Sequence, residues 1–131
     1  MTALALALAL VCAWNRADCS PRQVGQGNLT NVLPSRNLQA VWRPDRSIVV
    51  SSKLQHPVAI GAMLAHELHE QAAGPPPGGH DCGDYEKAAV AAQGDFARWF
   101  VNSFGYPNDA TGEDAFIISA TLTTPGWFIT C

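Results

Sequence analysis

A chain of 131 residues, 47% of them hydrophobic and 15% charged, is sized and composed for one globular domain with a single core, which excludes extended disorder. A formal net charge of -3, with its eight Lys and Arg scattered along the chain, excludes the basic footprint of a nucleic-acid-binding surface. Neither a Ser/His/Asp array nor a phosphate-binding glycine loop is present.

The opening stretch MTALALALALVCAW carries an apolar run of about eleven residues, roughly half of what a membrane-spanning helix needs, so no stable membrane span is expected. Residues 1–13 read in two ways. One is a signal-peptide core ending in the small-residue pattern Val11-Cys12-Ala13, though without a basic residue before it. The other is an N-terminal helix or strand, the strict Ala/Leu alternation having the period of a strand. Residues 14–131 form a single domain on either reading. Cys12, Cys19, Cys82 and Cys131 include no C-x-x-C pair, which argues against a zinc finger, and they permit two disulfides in any of three pairings. Asn28-Leu29-Thr30 matches a glycosylation sequon.

Residues 14–38, rich in Asn, Arg, Gly, Ser and Pro, predict a loop or surface segment. QAVWRPDRSIVVSS predicts a β-hairpin with Ala40-Val41-Trp42 and Ile48-Val49-Val50 as strands and Pro44-Asp45 in the turn. Pro57 suits a first helical turn, so a first long helix is predicted from there to a stop at Gly74, with His56 leading into it. GPPPGGHDCG then breaks regular structure. A second long helix is predicted from Asp84 to Phe104, ended by Gly105 with Pro107 beyond, and the tail DAFIISATLTTPGWFITC predicts a short helix and an extended segment. The fold class is α+β, a β-hairpin or small sheet packed on two main helices.

Helical projection places the polar residues. With Glu86 at zero, Ala89, Val90, Ala97, Phe100 and Phe104 fall within roughly 60° of it, while Asp84, Lys87, Asp95, Arg98 and Asn102 gather opposite. Glu86 thus lies on the apolar face, where an ionised carboxylate costs several kcal/mol unless it is paired or bound to a cation. Gln93 shares that face and is placed to hydrogen-bond a metal ligand from behind. In the first helix, LAHELHEQ crowds ionisable residues together, and His66 and Glu70, about 40° apart, share a sector with small Ala59 and Ala73. The second helix is slim at Ala88, Ala89, Ala91 and Ala92, so the two can approach closely and bring Glu86 opposite His66 and Glu70.

A hydrolytic zinc site needs three protein ligands, an open position for water and a carboxylate base beside it. The candidate metal ligands are His66, Glu70 and Glu86, and Glu67 is the candidate catalytic base. His69 is the alternative to Glu70, although it projects about 60° to the other side of His66, away from Glu67.

Together SIVVSSKL, LAHELHE and DCGDYEKAAVAAQGDFARWF resemble the small gluzincin-type zinc metallopeptidase-like proteins, in which an edge strand precedes an H-E-x-x-H helix and a D-C-x-x-x-E-x-x-A helix follows. The likeness covers roughly residues 41–100. It implies a minimal zincin-like domain with zinc as cofactor and a peptide or protein as substrate. It further implies His66 and Glu86 as ligands, Glu67 as the base acting on a zinc-activated water, and residues 47–51 as the edge along which an extended substrate lies. Glu70 stands where the family has its second histidine, and the added carboxylate makes the site more negative and a weaker Lewis acid.

Two other functions fit the same residues. One is a catalytically degenerate zincin-fold binding or structural protein; the other is a carboxylate-rich metalloprotein holding iron or manganese, without the paired Glu-x-x-His motifs of a di-iron bundle. His80, Asp81 and Cys82 are further potential ligands, the cysteine more readily structural, and Phe96, Trp99, Phe100 and Phe104 are expected mostly to pack in the core, with Trp99 open to partial exposure.

Overall fold

Alanine and leucine are among the strongest helix formers, and at the N-terminus that propensity overrides the strand-like alternation. The computed structural model describes residues 1–19, 23–29, 40–43, 45–74 and 84–123. Helix α1 (Ala3–Trp14) is capped by the Thr2 hydroxyl, which accepts from the Ala5 N–H at 3.0 Å. Ala7 and Val11 on its inner face are buried. A 3-10 turn, Arg16–Cys19, then returns Cys19 to Cys12, and the two form a disulfide. Cys82 and Cys131 lie outside the described residues, as do the segments predicted as the proline-glycine loop and the extended tail.

Three short strands form one sheet: β1 (Val24–Gly27), β2 (Ala40–Trp42) and β3 (Ile48–Ser51), in the order β1-β3-β2. The predicted hairpin is present, with β2 antiparallel to β3 and Val41 opposite Val49. Its turn is closed by the Arg46 N–H on the Arg43 carbonyl at 2.8 Å and the Arg43 N–H on the Ser47 carbonyl at 2.9 Å, with Arg46 at φ 70. Asp45 Oδ1 accepts from the Ser47 N–H and hydroxyl at 2.9 and 2.6 Å, an Asx-type closure; Pro44 lies outside the described residues.

The sheet corrects two expectations. Residues 14–38 are not loop throughout, because β1 pairs parallel with β3, Val24 opposite Ile48. Its sequence, VGQG, has little strand propensity of its own. Gly27 admits a close neighbour, a Cβ there meeting Val49 Cγ1 at 3.3 Å, and the Gln26 amide donates to the Leu54 carbonyl at 2.8 Å. The second correction follows from the first. With the Ile48 N–H donating to the Gln23 carbonyl and the Ser52 N–H to the Gly27 carbonyl, both at 2.9 Å, β3 is the central strand and not an edge.

Helix α2 (Pro57–Ala73) runs through the middle of the molecule, and its residues from Val58 to Ala65 are buried without interruption. A helix apolar on all sides is stable only when covered on all sides. Its neighbours are α1, α3 (Asp84–Phe104), α4 (Gly112–Thr123) and the sheet, so the N-terminal element, a helix, and the short tail helix complete the core around the two main helices. At its start, His56 Nδ1 accepts from the Val58 N–H at 3.1 Å, and Asp114 Oδ1 of α4 takes the Gln55 and His56 N–H groups at 2.9 and 3.0 Å. At its end Gly74 adopts φ 83, and the Tyr85 hydroxyl of α3 donates to the Gly74 and Glu70 carbonyls at 2.6 and 3.1 Å. Among the described residues, no helix is long and apolar enough to cross a membrane.

At the α2–α3 interface Gly61 faces the fully buried ring of Phe96; a Cβ at Gly61 would stand 2.6 Å from two ring carbons. Gly61→Ala should therefore destabilise the fold by about 1–3 kcal/mol despite the better helix propensity of alanine, with part of the loss regained in Gly61→Ala/Phe96→Leu. Urea unfolding of the three proteins measures both effects.

Candidate metal centre

The close α2–α3 approach sets His66 between carboxylates from both helices. Its Nε2 lies 2.5 Å from Glu70 Oε1, one turn on along α2, and 2.8 Å from Glu86 Oε1 of α3. The other ring nitrogen, Nδ1, lies 3.0 Å from Gln93 Oε1, and the Gln93 amide nitrogen donates to Thr121 Oγ1 of α4 at 2.6 Å. Glu67 is on the sheet side of α2, only 8% exposed, where its carboxylate accepts a hydrogen bond from the Trp42 N–H.

Sheet register explains that last contact. Backbone groups of alternate residues in an antiparallel strand face the same neighbour. Since Arg43 bonds across to Ser47, Val41 also faces β3, and Ala40 and Trp42 turn their N–H and C=O groups outward, toward α2. The Gln71 amide, donating to the Arg46 carbonyl at 2.8 Å, fastens α2 to the same hairpin.

The electrostatics follow from burial. Desolvation alone would drive His66 toward its neutral form, but hydrogen bonds to Glu70 and Glu86 and attraction to Glu86 and Glu67 outweigh it, and its pKa is pushed up to about 11. Glu67 is raised to about 7 by burial first, partly countered by the His66 charge, with repulsion from Glu70 and Glu86 adding to the rise. Its buried neighbours make the centre anionic apart from the one imidazole.

Donor atoms of His66, Glu67 and Glu70 lie within 4.8 Å of one another, so this group can hold a metal ion. Imidazole nitrogen and carboxylate oxygen are both accepted ligands of divalent metals. Glu86, in contact with the same Nε2, completes the ring of carboxylates around the imidazole. A cation at Nε2 would replace the proton there and offset the buried negative charge.

The structure thus brings together His66, Glu67, Glu70, Glu86 and Gln93. It separates His69, which stands on the exposed side of α2. His80, Asp81 and Cys82 lie outside the described residues. Two participants escape sequence reasoning: Thr121, an ordinary residue of a tail helix, and Trp42, which contributes a backbone group that no side-chain pattern announces.

Without metal, both shifted groups predict the same pH trend. Each binds its proton more tightly in the folded chain, so its stabilising contribution is complete below about 4.5 for Glu67 and about 6.5 for His66 and is lost as pH rises through about 7 and about 11. Urea unfolding in chelator should show stability falling by about 4–5 kcal/mol between pH 5 and pH 8, with a shallower fall in Glu67→Gln. Saturating metal should remove the His66 part of the trend, because the ion takes the place of the His66 proton. Compared with known proteins, the chain matches no family model, no curated protein and no solved structure, so its own geometry carries the functional reading.

Proposed function

We propose that the protein is a zinc-dependent metallopeptidase-like hydrolase, with His66, Glu70 and Glu86 as the ligands and Glu67 as the general base. The observation that carries this reading is the placement of His66 Nε2 against carboxylates from two helices, with a separate buried carboxylate, Glu67, on the same helix one residue along. A zinc ion bound there supplies Lewis acidity toward a peptide carbonyl and lowers the pKa of water.

The chain's own groups do the rest. Gln93 holds the Nδ1 side of His66, leaving Nε2 for the ion. Glu67, with a pKa near neutrality and its carboxylate oriented by the Trp42 N–H, is suited to take a proton from water and return it to the leaving amine. An extended peptide would lie along β2, whose outward backbone groups face the Glu67 side of α2, in place of β3, which is enclosed by its two neighbours.

A second reading also has an observation behind it. Glu67 belongs to the same donor group as His66 and Glu70, and as a ligand it would give a centre of one nitrogen and three carboxylates, a set suited to manganese or ferrous iron and lacking a base.

Elemental analysis of protein purified without chelator separates the two. The proposal expects about one zinc per chain, lost in His66→Ala/Glu86→Ala; manganese or iron in its place favours the second reading. Glu67→Gln should retain zinc while peptide hydrolysis falls by about 10²–10⁴-fold. Undiminished turnover in that variant removes Glu67 from the mechanism.

A further inference from the structure

The metal centre is braced by a helix that the ligand set does not include. Along α4, Asp114, Ile117, Ile118 and Thr121 are buried in one stripe at helical spacing. One end of that stripe is anchored by Asp114 on the N–H groups of Gln55 and His56 at the start of α2. The other end presents Thr121, 7% exposed, whose Oγ1 accepts from the Gln93 amide at 2.6 Å, while Gln93 Oε1 faces His66 Nδ1 at 3.0 Å.

A glutamine amide has two unlike ends, and which end meets an imidazole decides which ring nitrogen keeps the proton. With oxygen toward the ring, Nδ1 carries a proton, and the one a cation displaces is the proton that Nε2 shares with Glu70 and Glu86. With the NH2 group toward the ring, Nδ1 must accept, and a neutral ring then carries its proton on Nε2, where it blocks ligation. In a part-buried setting the NH2 group also needs an acceptor of its own. Thr121 Oγ1 is that acceptor, and it stands on the side of Gln93 away from His66.

We infer that Thr121 is a positioning residue for the metal centre: through Gln93 it holds the Nδ1–H of His66, so that the proton a cation displaces is the one on Nε2, and α4 governs metal affinity without supplying a ligand. The inference rests on the reading of His66 as a ligand through Nε2. It assigns α4 a task distinct from covering the core, since removing one oxygen atom at Thr121, with no change of shape, should reach the metal through two hydrogen bonds.

The test compares Thr121→Val, which keeps the shape and removes the acceptor, with Thr121→Ser, which restores it. Ring ¹H–¹⁵N NMR of the metal-free protein reports the His66 Nδ1–H, and competition with a chromophoric chelator reports the zinc Kd. Parent and Thr121→Ser should show a slowly exchanging Nδ1–H, and in Thr121→Val its exchange should be about ten-fold faster or more, with zinc affinity about ten-fold weaker or more. Gln93→Glu, whose carboxylate has no NH2 end to be held, should keep the Nδ1–H whether residue 121 is Thr or Val, which guards against a general loss of folding. A Thr121→Val protein whose Nδ1–H exchanges as slowly as the parent's, or exchanges faster with zinc affinity unchanged, overturns the inference. Failure of the parent itself to bind zinc sinks the metal reading separately, and the Nδ1–H signal still decides whether Thr121 holds the ring.

Discussion

One imidazole among buried carboxylates organises this molecule. Glu70 and Glu86 come from different helices, and each would be costly to bury as an anion on its own; the His66 Nε2 between them gives both a partner within 2.8 Å. That contact requires α2 and α3 to approach closely, and the glycine at position 61, facing Phe96, allows it. The same interface is pinned at the end of α2 by the Tyr85 hydroxyl, which meets the Gly74 carbonyl and shares the Glu70 carbonyl with the Gly74 N–H. Packing and electrostatics are therefore one arrangement: a wider helix pair would leave the carboxylates unpaired, and unpaired carboxylates would push the helices apart.

The sheet has only three short strands, and its contribution to the site is equally specific. Because β2 lies on the α2 side of β3, alternation along the strand turns the Trp42 N–H toward Glu67. A register shift of one residue would turn the Trp42 N–H toward β3 and away from Glu67. The turn that sets this register is tied to α2 through Gln71 and the Arg46 carbonyl, so the position of the hairpin and the orientation of Glu67 depend on each other.

Much of the centre is legible along the chain because its spacing is local. The helical repeat alone places His66 and Glu70 on one face, and it sets Glu86 and Gln93 on the apolar face of the next helix, two turns apart. It also turns His69 away, and His69 is exposed. Thr121 and β1 resist such reading for a common reason. Thr121 matters because α4 folds back to touch Gln93, and VGQG becomes a strand only because β3 offers an unpaired side. Neither property is carried by the residues themselves.

By itself, the sequence determined the boundaries of α2 and α3, the antiparallel hairpin and the burial of a carboxylate that needs a partner, because propensity, capping and periodicity act over a few neighbouring residues. It left open whether the alternating N-terminus is helix or strand, a point settled by the helix propensity of Ala and Leu and by the packing of Ala7 and Val11 into the core. Only the tertiary structure decided that β3 is central, that Trp42 supplies a backbone donor to Glu67 and that α4 reaches the imidazole through Gln93. Each joins segments far apart in the chain, and distant pairings depend on complementary surfaces that exist only once the helices and strands have packed.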